Sequence, residues 1–283
     1  MIQIQSDIIC LRAPNPSPLT FTGTNTYIVG IDRVTVIDPG PYIESHLDAI
    51  LALIDGRPVD AIIVSHSHLD HSPLARPLSD RCGAPVVAFG GPMAGRSEVM
   101  QTLVGAIGGG EGADTDFAPD RTVVDGDAIG DFRAIHTPGH MGNHICLLYK
   151  DVLFSGDHVM GWATSLVSPP DGDLTDFMAS CRKLQSIPAR RYLPGHGDPI
   201  EDPIARLDWL IAHRLEREAQ IMSALIAGAD TADRITAKVY ADVDASLHFA
   251  AKRNVVAHLI DLTQQKRIEP VGVLSVDAVF QPL

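Results

Sequence analysis

The sequence predicts an α/β protein, a mixed sheet system flanked by helices, with a small helical module at its C-terminal end. Three observations carry this. The first two hundred residues alternate short β-branched runs with turn signals and helical stretches, and after Pro203 the pattern becomes helical. The composition, 45% apolar and 20% charged over 283 residues, is that of an ordered globular chain. That length buries a sizeable core and leaves room for a second, smaller unit.

The β-like runs are TYIVGI, VTVID, AIIVS, APVVAF, DFRAIHT, HICLLY, DVLFSG and RYLPG. Between the second and third, Ile43, Leu47, Ile50, Leu51 and Ile54 recur at helical spacing. Strands thus arrive both as hairpin-like pairs and as strand-helix-strand units, which calls for mixed sheets. Residues 90–120, rich in Gly, Ala and acids, show little strand signal. Two readings stay open there: a partly mobile surface loop with a short helix, or a flap over a site. Beyond Pro203 come three helical stretches, starting ARLDWL, TADRIT and SLHFAA, and then the short β-like VGVLSVDAVF. Three helices and a small hairpin make a winged-helix-like layout, so the expected units are residues 1–203 and 204–283.

A formal net charge of -13 disfavours broad attraction to nucleic acid or anionic membrane. The excess acid is uneven: residues 1–203 hold 13 Lys/Arg against 25 Asp/Glu, and residues 204–283 hold 9 against 10. No apolar run is long enough to span a bilayer, and MIQIQSDIICLRAP lacks the basic start and apolar run of a secretory signal, so a soluble, cytoplasmic chain is expected. Cys10, Cys82, Cys146 and Cys181 form no CxxC pair and are expected to be reduced and packed.

The chemistry concentrates where AIIVS runs into SHSHLDH. His66 and His68, two apart on extended backbone leaving a strand, can project to one side, and Asp70 and His71 follow at once. Ser72 and Pro73 then read as the cap and first residue of a helix. Four nitrogen or oxygen ligands within six residues is the composition of a metal site. Three later residues can complete it: His140 in HTPGH, Asp157 in LFSGDH and His196 in YLPGHG. Each follows a β-like run and sits in a turn whose glycines allow close backbone approach. Asp38, at the end of VTVID, is an expected partner orienting a ligand histidine. His144 and His158 are weighed as contacts to a ligand or to substrate against simple packing. His46, His136, His213, His248 and His258 are read as structural.

SHSHLDH resembles the HxHxDH signature of the metallo-β-lactamase superfamily, and TPGH, SGD and LPGHG resemble its later ligand motifs in the same order. GTNTYIVG and VIDPG are similar to its opening strands. The tail, through HRLEREAQI and AAKRNVVAHLIDLTQQKRI, resembles the winged-helix-like module of the beta-lactamase-like protein 2 branch. The resemblance implies an αββα sandwich with a metal pair at one edge. It assigns His66, His68 and His140 to one ion and Asp70, His71 and His196 to the other, with Asp157 bridging. It covers nearly the whole chain and is weakest over residues 90–120.

Two divalent ions, zinc by default for a histidine-rich site with iron or manganese as alternatives, can share a hydroxide at neutral pH. Asp70 or a bound water can protonate the leaving group. The branch includes single-strand-specific endoribonucleases, and related fungal members hydrolyse carrier thioesters. The expected function is therefore a dinuclear hydrolase acting on single-stranded RNA or, alternatively, on a small ester or thioester in the manner of a thioesterase or glyoxalase II. RNA has against it the lack of a basic stripe and an aromatic content of 5%. A non-catalytic nucleic-acid-binding regulator is disfavoured by seven intact ligand positions, and β-lactam hydrolysis by the missing export signal. Oxygen-reducing diiron relatives, as the resemblance implies, carry Glu where this chain has His68, so a redox role is not expected.

Overall fold

The structure is a computed structural model and describes residues 1–110 and 112–283; Glu111, within the expected 90–120 loop, lies outside the described residues. Seven strands, β1 (Ile2–Gln5), β2 (Ile8–Arg12), β3 (Asn25–Val29), β4 (Val34–Ile37), β5 (Val59–Ile63), β6 (Val86–Ala88) and β7 (Arg121–Thr122), form the first sheet in chain order. Pairing is antiparallel from β1 to β4 and parallel from β4 to β7. The second sheet runs β12-β11-β10-β9-β8, from β8 (Ala128–Ile129), β9 (Phe132–His136), β10 (Ile145–Tyr149), β11 (Val152–Gly156) and β12 (Arg191–Pro194). Only its β11–β12 pair is parallel.

Strand parity sorts the apolar side chains into layers. Tyr27, Val29, Ala61 and Ile63 face inward against Phe132, Leu147, Phe154 and Leu193 of the second sheet. Their neighbours Ile28, Val36, Ile62 and Val64 face outward under α1 (Glu44–Ile54) and α2 (Ala75–Cys82). Both faces being covered explains why AIIV reads as a continuous apolar run and does not alternate. Leu153, Cys146 and Tyr192 on the outer face of the second sheet pack under α4 (Leu174–Gln185) and the first half of α5 (Pro203–Ile226). The layers are therefore helix, sheet, sheet, helix. The four cysteines are free, and three of them are buried.

Helix α5 serves two cores. Leu207 and Leu210 belong to the layer under the second sheet, whereas Ile221, Ala224 and Leu225 pack with α6 (Ala232–Val239), α7 (His248–Gln264) and the antiparallel pair β13 (Ile268–Pro270) and β14 (Phe280–Pro282). Into this C-terminal core the 90–120 region inserts Met100 and Leu103 of α3 (Glu98–Leu103), and Ile107. The short helix expected there exists, and it is anchored by burial.

Three local expectations need correction. The outer strands β1 and β2 were not among the eight β-like runs; they form a short hairpin at the sheet edge, and IQIQ alternates apolar and polar residues over only four positions. VGVLSVDAVF is mainly the connection between β13 and β14, because Gly272 at φ +95° turns the chain and Leu274 and Val276 pack inward from the loop. Ser72 is not a helix cap: α2 starts at Ala75 after Leu74, and the Ser72 hydroxyl bonds the His68 carbonyl (3.1 Å) and Asp114 Oδ2 (2.7 Å).

Candidate metal centre

Parallel β4 and β5, and parallel β11 and β12, end on one edge of the sandwich, as β9 does. The loops leaving these carboxyl ends carry the predicted residues: Asp38 after β4, His66 to His71 after β5, His140 after β9, Asp157 after β11 and His196 after β12. Carboxyl ends of parallel strands are a recurrent place for ligands. Asn25 and Tyr27 fasten the two sheets there, Asn25 Nδ2 donating to the carbonyls of Pro194 (3.0 Å) and Gly197 (2.8 Å) and Tyr27 Oη to that of Pro194 (2.7 Å). Gly195 allows the close approach, since a Cβ there would lie 2.3 Å from Asp157 Oδ1.

The seven residues form two groups. In one, His68 Nδ1 lies 3.0 Å from His66 Nε2 and 3.0 Å from His140 Nε2. In the other, His71 Nε2 and His196 Nε2 are 3.3 Å apart, and His196 Nε2 is 3.1 Å from Asp70 Oδ2 and 3.2 Å from Asp157 Oδ2. Within each group the ligand atoms lie within 4.8 Å of one another. Asp157 Oδ2 is also 3.8 Å from His140 Nε2, so this carboxylate stands between the groups. A tetrahedral ion with bonds of about 2.0–2.1 Å sets its ligand atoms about 3.3 Å apart, which matches these spacings.

The far sides of the rings are held as well. Ser65 N and Oγ donate to Asp38 (both 2.7 Å), so the Ser65 oxygen is left to accept from His66 Nδ1 at 3.0 Å. His71 Nδ1 donates to Asp38 Oδ2 at 2.9 Å, His140 Nδ1 to the Leu166 carbonyl at 2.7 Å, and His196 Nδ1 to the Gly23 carbonyl at 3.3 Å. These partners leave the Nε2 lone pairs of four histidines pointing to the centre. Asp38 itself sits at φ 50°, a left-handed conformation uncommon for a residue with a side chain. Sequence reading singled out Asp38 but not Ser65, whose type carries no specific signal, nor Leu166 and Gly23, which act through backbone carbonyls.

The electrostatics divide in the same way. Burial holds His66 well below the ordinary imidazole range and pushes His68 down to about 3, and His140 is lowered for the same reason, so the first group offers neutral rings. In the second group burial opposes charge, but the carboxylates outweigh it. Asp70, Asp157 and Asp38 raise His71 well above its usual value, and Asp157 and Asp70 raise His196 to about 9. Asp157 is held well below the carboxylate range against its burial by His196 and His71. Its Oδ1 is buried, 3.5 Å from His71 Nε2, and has no hydrogen-bond partner among the described residues. A buried nest of acids that draws in positive charge, beside three neutral imidazoles, fits divalent cations, which displace such protons on binding.

His144 and His158 lie behind this ring and hydrogen-bond none of the seven. His144 Nδ1 meets Thr137 Oγ1 at 2.9 Å and its ring packs 5.2 Å from that of His66; His158 Nε2 is 3.5 Å from Cys181 Sγ. The histidines read as structural are elsewhere: His46 bonds Thr26 (2.9 Å), His136 stacks on Phe89, His213 stacks on Trp209, His248 bonds the Val243 carbonyl (2.9 Å), and His258 is buried in α7.

A cleft of about 460 Å³ opens over the two groups, with His68, Asp70, His140, Asp157 and His196 in its lining. Leu19, Met160, Trp162 and Leu166 form part of the wall, and Tyr240, Val243, Leu247, Ala250, Ala251 and Asn254 of the C-terminal helices and their connection form another part. Phe21 stacks on Trp162 with ring centroids 4.8 Å apart. Neither Lys nor Arg lines this cleft among the described residues.

Two face-to-face sheets with helices outside, and a histidine and aspartate double cluster at the strand ends, define a metal-site hydrolase of the αββα class. The chain belongs to the metallo-beta-lactamase superfamily, whose family model matches residues 19–196, and the beta-lactamase associated winged helix domain matches residues 231–272. It is 30% identical over 284 residues to the beta-lactamase-like protein 2 homolog of Drosophila melanogaster, spanning 94% of this chain and 91% of that protein. It is 31% identical over 229 residues, 79% of this chain and 64% of the other, to an atrochrysone carboxyl ACP thioesterase of Cryptosporiopsis. A metallo-beta-lactamase family protein of Thermus thermophilus shares the fold, with a TM-score of 0.79 at 22% identity over 99% of this chain and all of that one. No described helix is long and apolar enough to cross a membrane.

Proposed function

We propose that the protein is a dinuclear metal-dependent acyl hydrolase whose substrate is a thioester or ester with an apolar acyl group. The observation that carries this is the cleft: its lining joins both ligand groups to a largely apolar wall and, among the described residues, contains no Lys or Arg. A phosphodiester reader needs Lys or Arg along its track, so the lining favours an acyl chain over single-stranded RNA. The relative named a thioesterase supports the same choice.

His66, His68 and His140 would hold one ion, Asp70, His71 and His196 the other, and Asp157 both, with zinc the ion best suited to this donor set. When bound, the ions supply Lewis acidity and a water that ionises near neutral pH. The chain does the rest. The rings are oriented by Asp38, Ser65 and two backbone carbonyls, and the apolar wall excludes bulk water and aligns the acyl group. Asp70, which belongs to a ligand group and also lines the cleft, is held against its burial well below the carboxylate range by His71 and His196, so it is assigned to accepting a hydrogen bond from water and guiding a proton to the departing thiol or alcohol without keeping it. His144 and His158 are assigned to packing behind the ligands. In this reading residues 1–203 carry the ligands and residues 204–283 contribute a substrate wall.

The test is turnover by one zinc-loaded preparation on medium-chain acyl thioesters, fluorogenic single-stranded RNA and a β-lactam, each with and without chelator. Chelator-sensitive thioester hydrolysis is expected. Chelator-sensitive RNA cleavage without thioester turnover would overturn the substrate assignment.

A further inference from the structure

His140 is aimed by a carbonyl that does not belong to its own loop. Leu166 O, which accepts from His140 Nδ1 at 2.7 Å, sits in a segment following β11, and the flanking backbone groups of that segment are held by the C-terminal helices. The Ser165 carbonyl accepts from the Arg214 guanidinium of α5. Val167 N donates to Asn254 Oδ1 of α7 at 3.2 Å, and the same oxygen accepts from Arg214 Nη1 at 3.0 Å. Asn254 Nδ2 is anchored on the Ala250 carbonyl at 3.2 Å. Ser165 Oγ continues the chain of contacts to the backbone carbonyls of Asp157 and His158.

Arg214 is only 3% exposed, and no carboxylate pairs with it among the described residues. Burying a guanidinium without a counter-ion costs stability, which its place over the Phe177 ring, 5.1 Å from the centroid, offsets only in part. Its donors instead reach one carbonyl beside Leu166 and one amide oxygen that fixes the other side.

We infer that Arg214 and Asn254 are positioning residues for the three-histidine group, acting through residues 165–167 on the aim and tautomer of His140. This rests on the two-ion reading above and gives the C-terminal module a second task besides walling the cleft. If the segment relaxes, Leu166 O leaves His140 Nδ1 and the first group loses its fixed third ligand. The second group is held separately, by Asp38 behind His71 and Gly23 O behind His196. The consequence is unequal: the first group loses the fixed aim of His140, whereas the second is reached only through the Ser165 contact to the Asp157 backbone.

The experiment is zinc titration of the demetallated full-length chain against a chromophoric chelator, with thermal unfolding measured in parallel, for wild type, Asn254→Leu and Asn254→Asp. Leu keeps the volume and removes the acceptor, whereas Asp keeps the acceptor. For Asn254→Leu, one of two zinc equivalents should weaken by about 10- to 100-fold, the range for losing a partner behind a metal ligand, and Asn254→Asp should recover most of it. Should Asn254→Leu fail to fold, Asn254→Ala makes the same comparison by opening space toward the cleft. Wild-type affinity for both equivalents in the acceptor-less variant, equal weakening of both, or no recovery with Asp would overturn the inference while leaving the two-ion reading intact. A wild-type chain that takes up fewer than two equivalents overturns that reading, and the inference with it, before any variant is made.

Discussion

The carboxylate of Asp38 accepts a hydrogen bond from His71 Nδ1 at 2.9 Å while also receiving Ser65 N and Oγ, and Asp38 is 2% exposed. One residue at the end of β4 thereby sets two neighbours of the site, His71 directly and His66 through Ser65. Replacing Asp38 with Asn preserves the shape but weakens both contacts. Zinc affinity in the second group should fall by about 10- to 100-fold. Chelator competition on the full-length chain checks this, and unchanged affinity would show that the pair is only structural.

His68 and Asp157 test the two-group geometry in different ways. His68→Ala removes a donor from the first group only, so one metal equivalent should be lost. Asp157→Ala removes the carboxylate standing between the groups, so both equivalents should weaken. Elemental analysis after gel filtration reads the stoichiometry, and turnover should fall by at least about a hundredfold in each case, the scale of losing an essential charge-stabilising group. Full metal content and turnover in either variant would refute the assignment.

Ala250 lines the cleft from α7. A bulky side chain there should shorten the space for the acyl chain, so Ala250→Phe is expected to raise KM for long-chain thioesters about tenfold and leave acetyl thioesters nearly unchanged, a discrimination on the scale of a few methylenes. An equal loss at every chain length would mean that α7 does not contact the acyl group.

His258 makes stability depend on pH away from the metal centre. It is 1% exposed, neither ring nitrogen has a hydrogen-bond partner among the described residues, and burial, aided by Arg214, Arg217 and His213, pushes it down to about 3. The folded value lies below the unfolded one, so the unfolded chain takes up the proton first. The contribution is complete above about pH 6.5 and declines as pH falls toward 3, amounting to a loss of about 2 kcal/mol by pH 5. Urea unfolding at pH 7 and pH 5 should show that loss in wild type and a smaller one in His258→Leu. The Leu variant should be at least as stable at pH 7, since it removes an unsatisfied buried polar group.

Much of this was legible before any tertiary contact was known, for particular reasons. The candidate ligands lie in loops just after strand ends, so AIIV before His66, DFRAIH before His140 and RYLP before His196 placed them on a sheet rim by local pattern alone. Asp38 was legible in the same way, at the end of VTVI. The outer hairpin, β1 and β2, has the right alternation in IQIQ, but its strands are only four and five residues long, too short for the period to stand out. VGVLSVDAVF misled because its apolar residues pack from a loop, and burial without strand pairing has no periodic signature.

By itself the sequence determined the candidate ligand set, its order and the helical texture of the tail, because residue identity and local period are encoded at each position. Tertiary structure decided what no local pattern can carry. Backbone carbonyls at Leu166 and Gly23 hold His140 and His196, yet every residue has such a carbonyl, and only the fold selects which one arrives. Helix α5 serves two cores because its two halves meet different neighbours. Among the described residues the cleft wall is largely apolar and carries no Lys or Arg because loops and helices distant in sequence converge there, and that convergence, a property of packing between separate segments, is what directs the proposal toward an acyl substrate.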